Sequence, residues 1–259
     1  MRSFPGMTKS PKARLGVAGG MALAAAFFSS DARVQERQTV TPQQLMSWCQ
    51  GQDGATPDQM IAGCTVMIEA GQSSAHNKSV AHTNRGDAYR SKGDHDQAIR
   101  DLDEAIKIDP SNQFAHSSRG VLHFVQADFP AAAAAFRQAA SLKPDAYPVV
   151  WHYLARARGG GDGANAAAAE LAANAAPLKT TEWPYPVVEL YLGRRAGSDL
   201  LAVATTPDDR CEAQFYLGEW HLLRGNSTEA AKALREAAAT CPKTFYEYAG
   251  AAAELSRLR

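Results

Sequence analysis

"SVAHTNRGDAYRSKGDHDQAIRDLDEAIKIDPSN" occupies residues 79–112, and the next 34 residues, 113–146, read "QFAHSSRGVLHFVQADFPAAAAAFRQAASLKPDA". The two blocks align without a gap. Gly86 falls on Gly120, Ala98 on Ala132, Ala105 on Ala139 and Pro110 on Pro144. A third block from Cys211, "CEAQFYLGEWHLLRGNSTEAAKALREAAATCPKT", sets Gly218, Ala230, Ala237 and Pro242 at the same offsets. Two helices approach closely only where side chains are small, so these positions mark where the helices of a hairpin touch. Tyr89, Leu102, Phe136, Leu217 and Leu234 are the larger residues that fill the space between. Asp94 and Asp128 are placed to cap the second helix of their blocks, and the terminal proline stops it. Each hairpin then has an apolar face that only its neighbour can cover, so the units must stack.

The fold expected is all-α, a solenoid of stacked antiparallel helix hairpins with a C-terminal capping helix. The 34-residue period resembles the tetratricopeptide repeat (TPR). Residues 79–146 hold two clear copies and 211–244 another. Between them, 147–210 read as a degenerate hairpin followed by a truncated one, with Trp151, Leu154, Ala167 and Leu171 near the expected offsets. Residues 245–259 form the capping helix, on a stripe of Phe245, Tyr248, Ala252 and Leu255. Before the repeats, "TPQQLMSWCQ" (41–50) and "TPDQMIAGCTVMIEAG" (56–71) each open with a threonine cap and a proline in the first turn. They make 33–78 an N-terminal helical hairpin.

Four basic residues, Arg2, Lys9, Lys12 and Arg14, precede or open onto the apolar run "LGVAGGMALAAAFF". That run is shorter than the roughly twenty residues a spanning helix needs. Residues 1–32 therefore read as a secretory signal peptide cleaved near Ala32, with Ser30 and Ala32 as the small residues of the cleavage site. The chain has 27 basic and 27 acidic residues, and no basic block interleaved with aromatics, so nucleic acid is not an expected partner. No other segment reads as a membrane span. Its four cysteines form two sequence-local sets, Cys49 with Cys64 and Cys211 with Cys241. Antiparallel helices bring the ends of a hairpin together, which favours local pairing, and export to an oxidising periplasm makes disulfides reasonable.

No catalytic constellation is visible. "RGGGDG" at 158–163 lacks the Gly-Lys-Ser/Thr ending of a phosphate-binding loop, and there is no Gly-x-Ser-x-Gly or His-Glu-x-x-His. The Arg-Gly-Asp at 85–87 sits inside a predicted helix, with Gly86 explained by packing. His82 and His116 share one offset and are read as packing histidines, not metal ligands. Asp101, Asp103 and Glu104 are read as solvated helix charge. Neither a metal nor a cofactor is expected. The functional surface is the concave groove lined by the first helix of each hairpin, and the offsets off the packing face give Thr83, Asn84, Asp87 and Arg90, then Ser117, Ser118, Val121 and Phe124. The degenerate copy adds His152 and Arg156, and the last copy Phe215 and Glu219. This mixed polar and aromatic lining suits an extended peptide or a helix.

Four further segments, "VVWHYLARAR" (149–158), "WPYPVVELYLGRR" (183–195), "AQFYLGEWHLLRG" (213–225) and "FYEYAGAAAEL" (245–255), resemble the NlpI family of bacterial envelope TPR proteins. The resemblance implies a non-enzymatic adaptor that docks protein partners, such as an envelope protease or peptidoglycan hydrolases, and it leaves a homodimer open. The alternative from another class is an envelope enzyme or glycan-binding factor that acts on peptidoglycan directly.

Overall fold

The computed structural model describes residues 40–70, 74–160, 163–178 and 180–259; the signal segment expected at 1–32 lies outside them. The described residues hold thirteen helices and no strand. An N-terminal hairpin pairs α1 (Pro42–Cys49) with α2 (Pro57–Glu69). The two clear repeats follow as α3 (Ala75–Lys92) with α4 (His95–Ile108), and α5 (Gln113–Val125) with α6 (Phe129–Leu142). Next come α7 (Ala146–Arg158) with α8 (Gly163–Ala175), and the short pair α9 (Tyr185–Tyr191) and α10 (Gly197–Val203). The last repeat is α11 (Pro207–Leu222) with α12 (Ser227–Thr240), and α13 (Tyr246–Arg257) closes the chain.

The caps form as the sequence requires. Thr41 and Thr56 accept hydrogen bonds from Gln44 N and Gln59 N ahead of a proline in the first turn, and Asp94 and Asp128 do the same for Gln97 N and Ala131 N. Each satisfies one of the backbone donors that a helix start leaves open. The close approaches fall in register as well. A Cβ on Gly86 would lie 3.0 Å from Leu102, on Gly120 2.9 Å from the Phe136 ring, and on Gly218 2.6 Å from Leu234. The same offset of the second helix thus fills the notch left by the glycine of the first, three times over.

Both expected cysteine pairs meet, with Cα–Cα separations of 4.6 Å for Cys49–Cys64 and 5.1 Å for Cys211–Cys241 and sulfurs at bonding distance. Loops of 15 and 30 residues closed in this way restrict the unfolded chain by about 3 to 4 kcal/mol each in the loop-entropy model. The apolar interior follows the array. A small N-terminal cluster around Cys49, Cys64 and Ala81 leads to one around Leu102 and Leu122, and then to the main core from Val121 to Ala251. No helix among the described residues is long and apolar enough to cross a membrane.

Trp151 on α7 stands at the centre of the main core, with no exposed surface. Its indole stacks on Phe136 at 5.5 Å and on Phe215 at 5.0 Å, and meets Phe124 edge-on at 5.1 Å. The closing helix does more than cover the last hairpin. It packs on α12 and then runs back along α11 and α5, so it lies on the concave side of the array. The face it buries is Tyr246, Glu247, Gly250, Ala251 and Glu254. Of the stripe expected from the sequence, Phe245 is buried, Tyr248 and Leu255 are half-buried, and Ala252 is exposed.

The turn between paired helices gives a test with two signs. Gly93 and Gly225 adopt left-handed φ values of 80° and 74°, and Ala127, at the same offset of the second repeat, holds φ 62° on the surface. Ala127→Gly removes the left-handed penalty and should raise stability by about 1 kcal/mol in urea unfolding. Gly63→Ala should lower it by about 1 to 3 kcal/mol, because the new methyl runs into the Leu45 carbonyl where α1 crosses α2.

Candidate functional site

The concave groove is built by α3, α5, α7 and α11, and α13 is seated in it. At the entry, Arg90 on α3 donates to the Thr244 carbonyl at 2.8 Å, just ahead of α13. The guanidinium lies 5.2 Å from the Tyr246 ring centroid. Ser118 Oγ on α5 donates to Asp87 at 3.0 Å and stands 2.7 Å from the Tyr246 hydroxyl. Since Ser118 has one proton to give, Tyr246 is the donor of that second bond. Burial, with Asp87 nearby, pushes the Tyr246 phenol well above its ordinary pKa.

Midway along, Gly250 lets the helix touch the aromatic floor. A Cβ there would lie 2.6 Å from Phe215 and 3.1 Å from Trp151. Glu247 accepts from Trp151 Nε1 at 3.3 Å and from the Tyr216 hydroxyl at 2.7 Å. At the far end, Arg158 on α7 bridges two fully buried carboxylates, Glu219 of α11 at 2.9 Å and Glu254 of α13 at 2.8 Å. Arg257 also pairs with Glu254 and donates to the carbonyls of Phe124 and Val125, at 2.8 and 2.7 Å, which end α5. Buried charges persist only when paired and hydrogen-bonded in this way.

Six of the residues expected to line a partner groove touch this seat: Asp87, Arg90, Ser118, Phe124, Phe215 and Glu219. They are not a free surface, because α13 covers them. Five are buried and only Asp87 stays half-exposed. Thr83 lies elsewhere, receiving a hydrogen bond from Asn112 Nδ2 and donating to the Ser79 carbonyl. Asn84, Ser117 and Val121 are also buried. His152 and Arg156 face away from α13. They line a cleft of about 480 Å³ between α6, α7 and α8, with Phe129, Arg137 and Glu170, and Arg156 pairs there with Glu170 at 3.2 Å. His152 and Arg156 sit about a third of a turn or more round the helix from Trp151 and Arg158, so the two pairs occupy different faces.

The opening motif resolves into packing. Arg85 makes two bonds of 2.7 Å to Asp101, and His82 stands 2.9 Å from the same carboxylate. Asp101 is buried rather than solvated. Burial pushes its carboxyl up, but Arg85 and His82 outweigh that and hold it below the ordinary range. His116 is buried, with Nε2 3.0 Å from the Pro110 carbonyl.

The residues that hold α13 went unremarked in the sequence: Glu212, Glu247, Glu254, Arg158 and Arg257. A signal was present. Glu212 and Glu219 on α11, and Glu247 and Glu254 on α13, are each seven residues apart, two turns along one helix face.

Two family models match the chain, one described as TPR repeat over residues 86–126 and one as tetratricopeptide repeat over 212–244. The chain carries tetratricopeptide repeats. The matched stretches fall on α3, α4 and α5 and on α11 and α12, which carry the notch glycines Gly86, Gly120 and Gly218. TPR arrays present extended concave surfaces to other proteins, and in this TPR chain the surface holds its own last helix.

Two arginines on α7 should behave differently on removal. Arg158→Met strands Glu219 and leaves Glu254 with one partner, and should cost about 3 kcal/mol in urea unfolding. Arg156→Met breaks a pair whose two side chains are each 41% exposed, and should cost less than about 1 kcal/mol.

Proposed function

We propose that this chain is a non-enzymatic, exported scaffold that brings protein partners together, and that its concave groove is a receptor for a helix. The observation that carries the reading is the seat of α13: four first helices converge on a single amphipathic helix and satisfy its aromatic, acidic and basic side chains one by one. A surface that accepts a helix in this way fits the helix-in-groove mode of recognition. A partner reaches it when α13 makes way, and α13 is the helix best placed to do so, because it follows the Cys211–Cys241 bridge and has no paired second helix of its own.

The two cysteine pairs accord with an oxidising compartment. Together with the resemblance of 149–158, 183–195, 213–225 and 245–255 to the NlpI family, they support a periplasmic location, a signal peptide removed near Ala32, and partners of the class of an envelope protease or a peptidoglycan hydrolase.

Affinity capture from envelope extract, followed by mass spectrometry, tests the reading. Wild type should retain such a protease or hydrolase. Arg257→Ala, which frees α13 from the end of α5, should retain several-fold more of the same protein. Equal capture by both variants would remove the groove from the account. Release of muropeptides from cell-wall sacculi by the purified protein would replace the scaffold with an enzyme.

A further inference from the structure

Two acidic pairs join α11 to α13, and they differ in what neutralises them. Glu219 and Glu254 share Arg158, with Arg257 alongside. Among the described residues, Glu212 and Glu247, two turns away, have only neutral hydrogen-bond donors. Glu212 Oε2 accepts from the Tyr147 hydroxyl of α7 at 2.9 Å and from Trp183 Nε1, just before α9, at 2.6 Å. Glu247 Oε1 accepts from Trp151 Nε1 and the Tyr216 hydroxyl. Both side chains have no exposed surface, and the second oxygen of each, Glu212 Oε1 and Glu247 Oε2, is buried without a hydrogen-bond partner.

The charged groups at the edges of this pocket are otherwise engaged. On α3, Arg90 is tied to Asp87 and to the Thr244 carbonyl. On α5 the facing group is the Ser118 hydroxyl, bonded to Asp87 and Tyr246. On α7, Arg158 is taken by the other acidic pair. Two buried carboxylates with no hydrogen-bonded cation among the described residues cannot both be ionised at modest cost.

We propose that Glu212 and Glu247 hold one proton between them, that this proton is part of what fastens α13 in the groove, and that its loss to solvent releases the helix. The proposal concerns regulation of the groove assigned above as the partner site and rests on that reading for its biological meaning. The physics is independent of it. With the proton gone, like charges on α11 and α13 face each other in the buried pocket. If α13 swings out about the short segment after Cys241, Glu247 reaches water and the array behind it keeps its repeats and its bridge.

The direction with pH follows. Burial, and then Glu247 beside it, push the Glu212 carboxyl from 4.5 up to about 8. The seated form therefore keeps a proton that the released form, with Glu247 withdrawn and the pocket open to water, gives up at lower pH. Seating weakens as pH rises and has lost the whole of this contribution by about 8. Glu219 is pushed in the same sense, by burial first and Glu254 next, against the pull of Arg158.

Hydrogen exchange on the full chain, read at the backbone amides of residues 249–253 and corrected for intrinsic exchange, measures the opening of α13 directly. In wild type, protection should fall at least tenfold per pH unit between pH 6 and 8, while α4 and α6 hold theirs. In Glu247→Gln the facing charge on α13 is gone, and protection of α13 should fall about tenfold less steeply per pH unit than in wild type, keeping only the part that Glu219 contributes. Should circular dichroism show that variant unfolded, Glu212→Gln serves in its place. Flat protection in wild type, or the same slope in wild type and variant, overturns the proposal. A steep wild-type slope with no gain in partner capture by Arg257→Ala would keep the proton latch and refute the groove as partner site.

Discussion

Burial of the concave face is the constraint on which the rest depends. Stacking covers the flanks of each hairpin but leaves the inside of the curve open, and here that inside carries Trp151, Phe124 and Phe215. An aromatic floor of this size left in water would cost several kcal/mol. The chain solves this with its own last helix, and the solution dictates detail elsewhere. Gly250 must be small because the floor is flat against the helix axis. Glu247 must be there because the indole and the Tyr216 phenol need an acceptor once water is excluded. Arg158 must bridge because Glu219 and Glu254 come together only when the helix is seated.

The seam between α13 and the groove is unlike the seams between the repeats. Within the repeats the notch contacts are glycine against leucine or phenylalanine and apolar, with the Arg85–His82–Asp101 cluster as a charged addition in the first. Around α13 the contacts are five carboxylates, three arginines and the polar tips of aromatic rings. Buried polar contacts of this kind contribute little net stability and much selectivity, because each partner is satisfied in one register alone. A helix held by such paired groups as well as by the aromatic floor can leave without undoing the repeats behind it, at the cost of exposing that floor. That is the property expected of an occupant that shares its seat with a partner.

Much of the architecture was legible in the sequence, because it depends on local rules. The glycine notch and its opposing large residue, the aspartate and threonine caps, the closing prolines and the cysteine ends of hairpins all recur at fixed offsets, and each has a physical reason that needs no third dimension. The groove was legible only as a set of offsets. Which of them stay open depends on where α13 goes, and its alanine-rich sequence carries two competing stripes. Phe245, Tyr248 and Leu255 are the more apolar one, while Tyr246, Glu247, Gly250 and Glu254 are the one buried. The choice falls to the second because the groove supplies donors for its acids. Asp101 misled for a similar reason: Arg85 and His82, on the facing helix, turn a surface charge into an internal one. His152 and Arg156 sit at groove-like offsets, but the degenerate third hairpin turns them toward α6 and α8.

Hydroxyl-radical footprinting of the intact chain tests the central claim most directly, since it reads side-chain exposure without altering a residue. With α13 in the groove, Phe124 and Tyr246 should stay unmodified while Phe114, 51% exposed on the outside of the same repeat, is oxidised heavily. Oxidation of Phe124 and Tyr246 at the rate of Phe114 would mean that the groove stands empty, and the account of a groove filled by its own helix would be wrong.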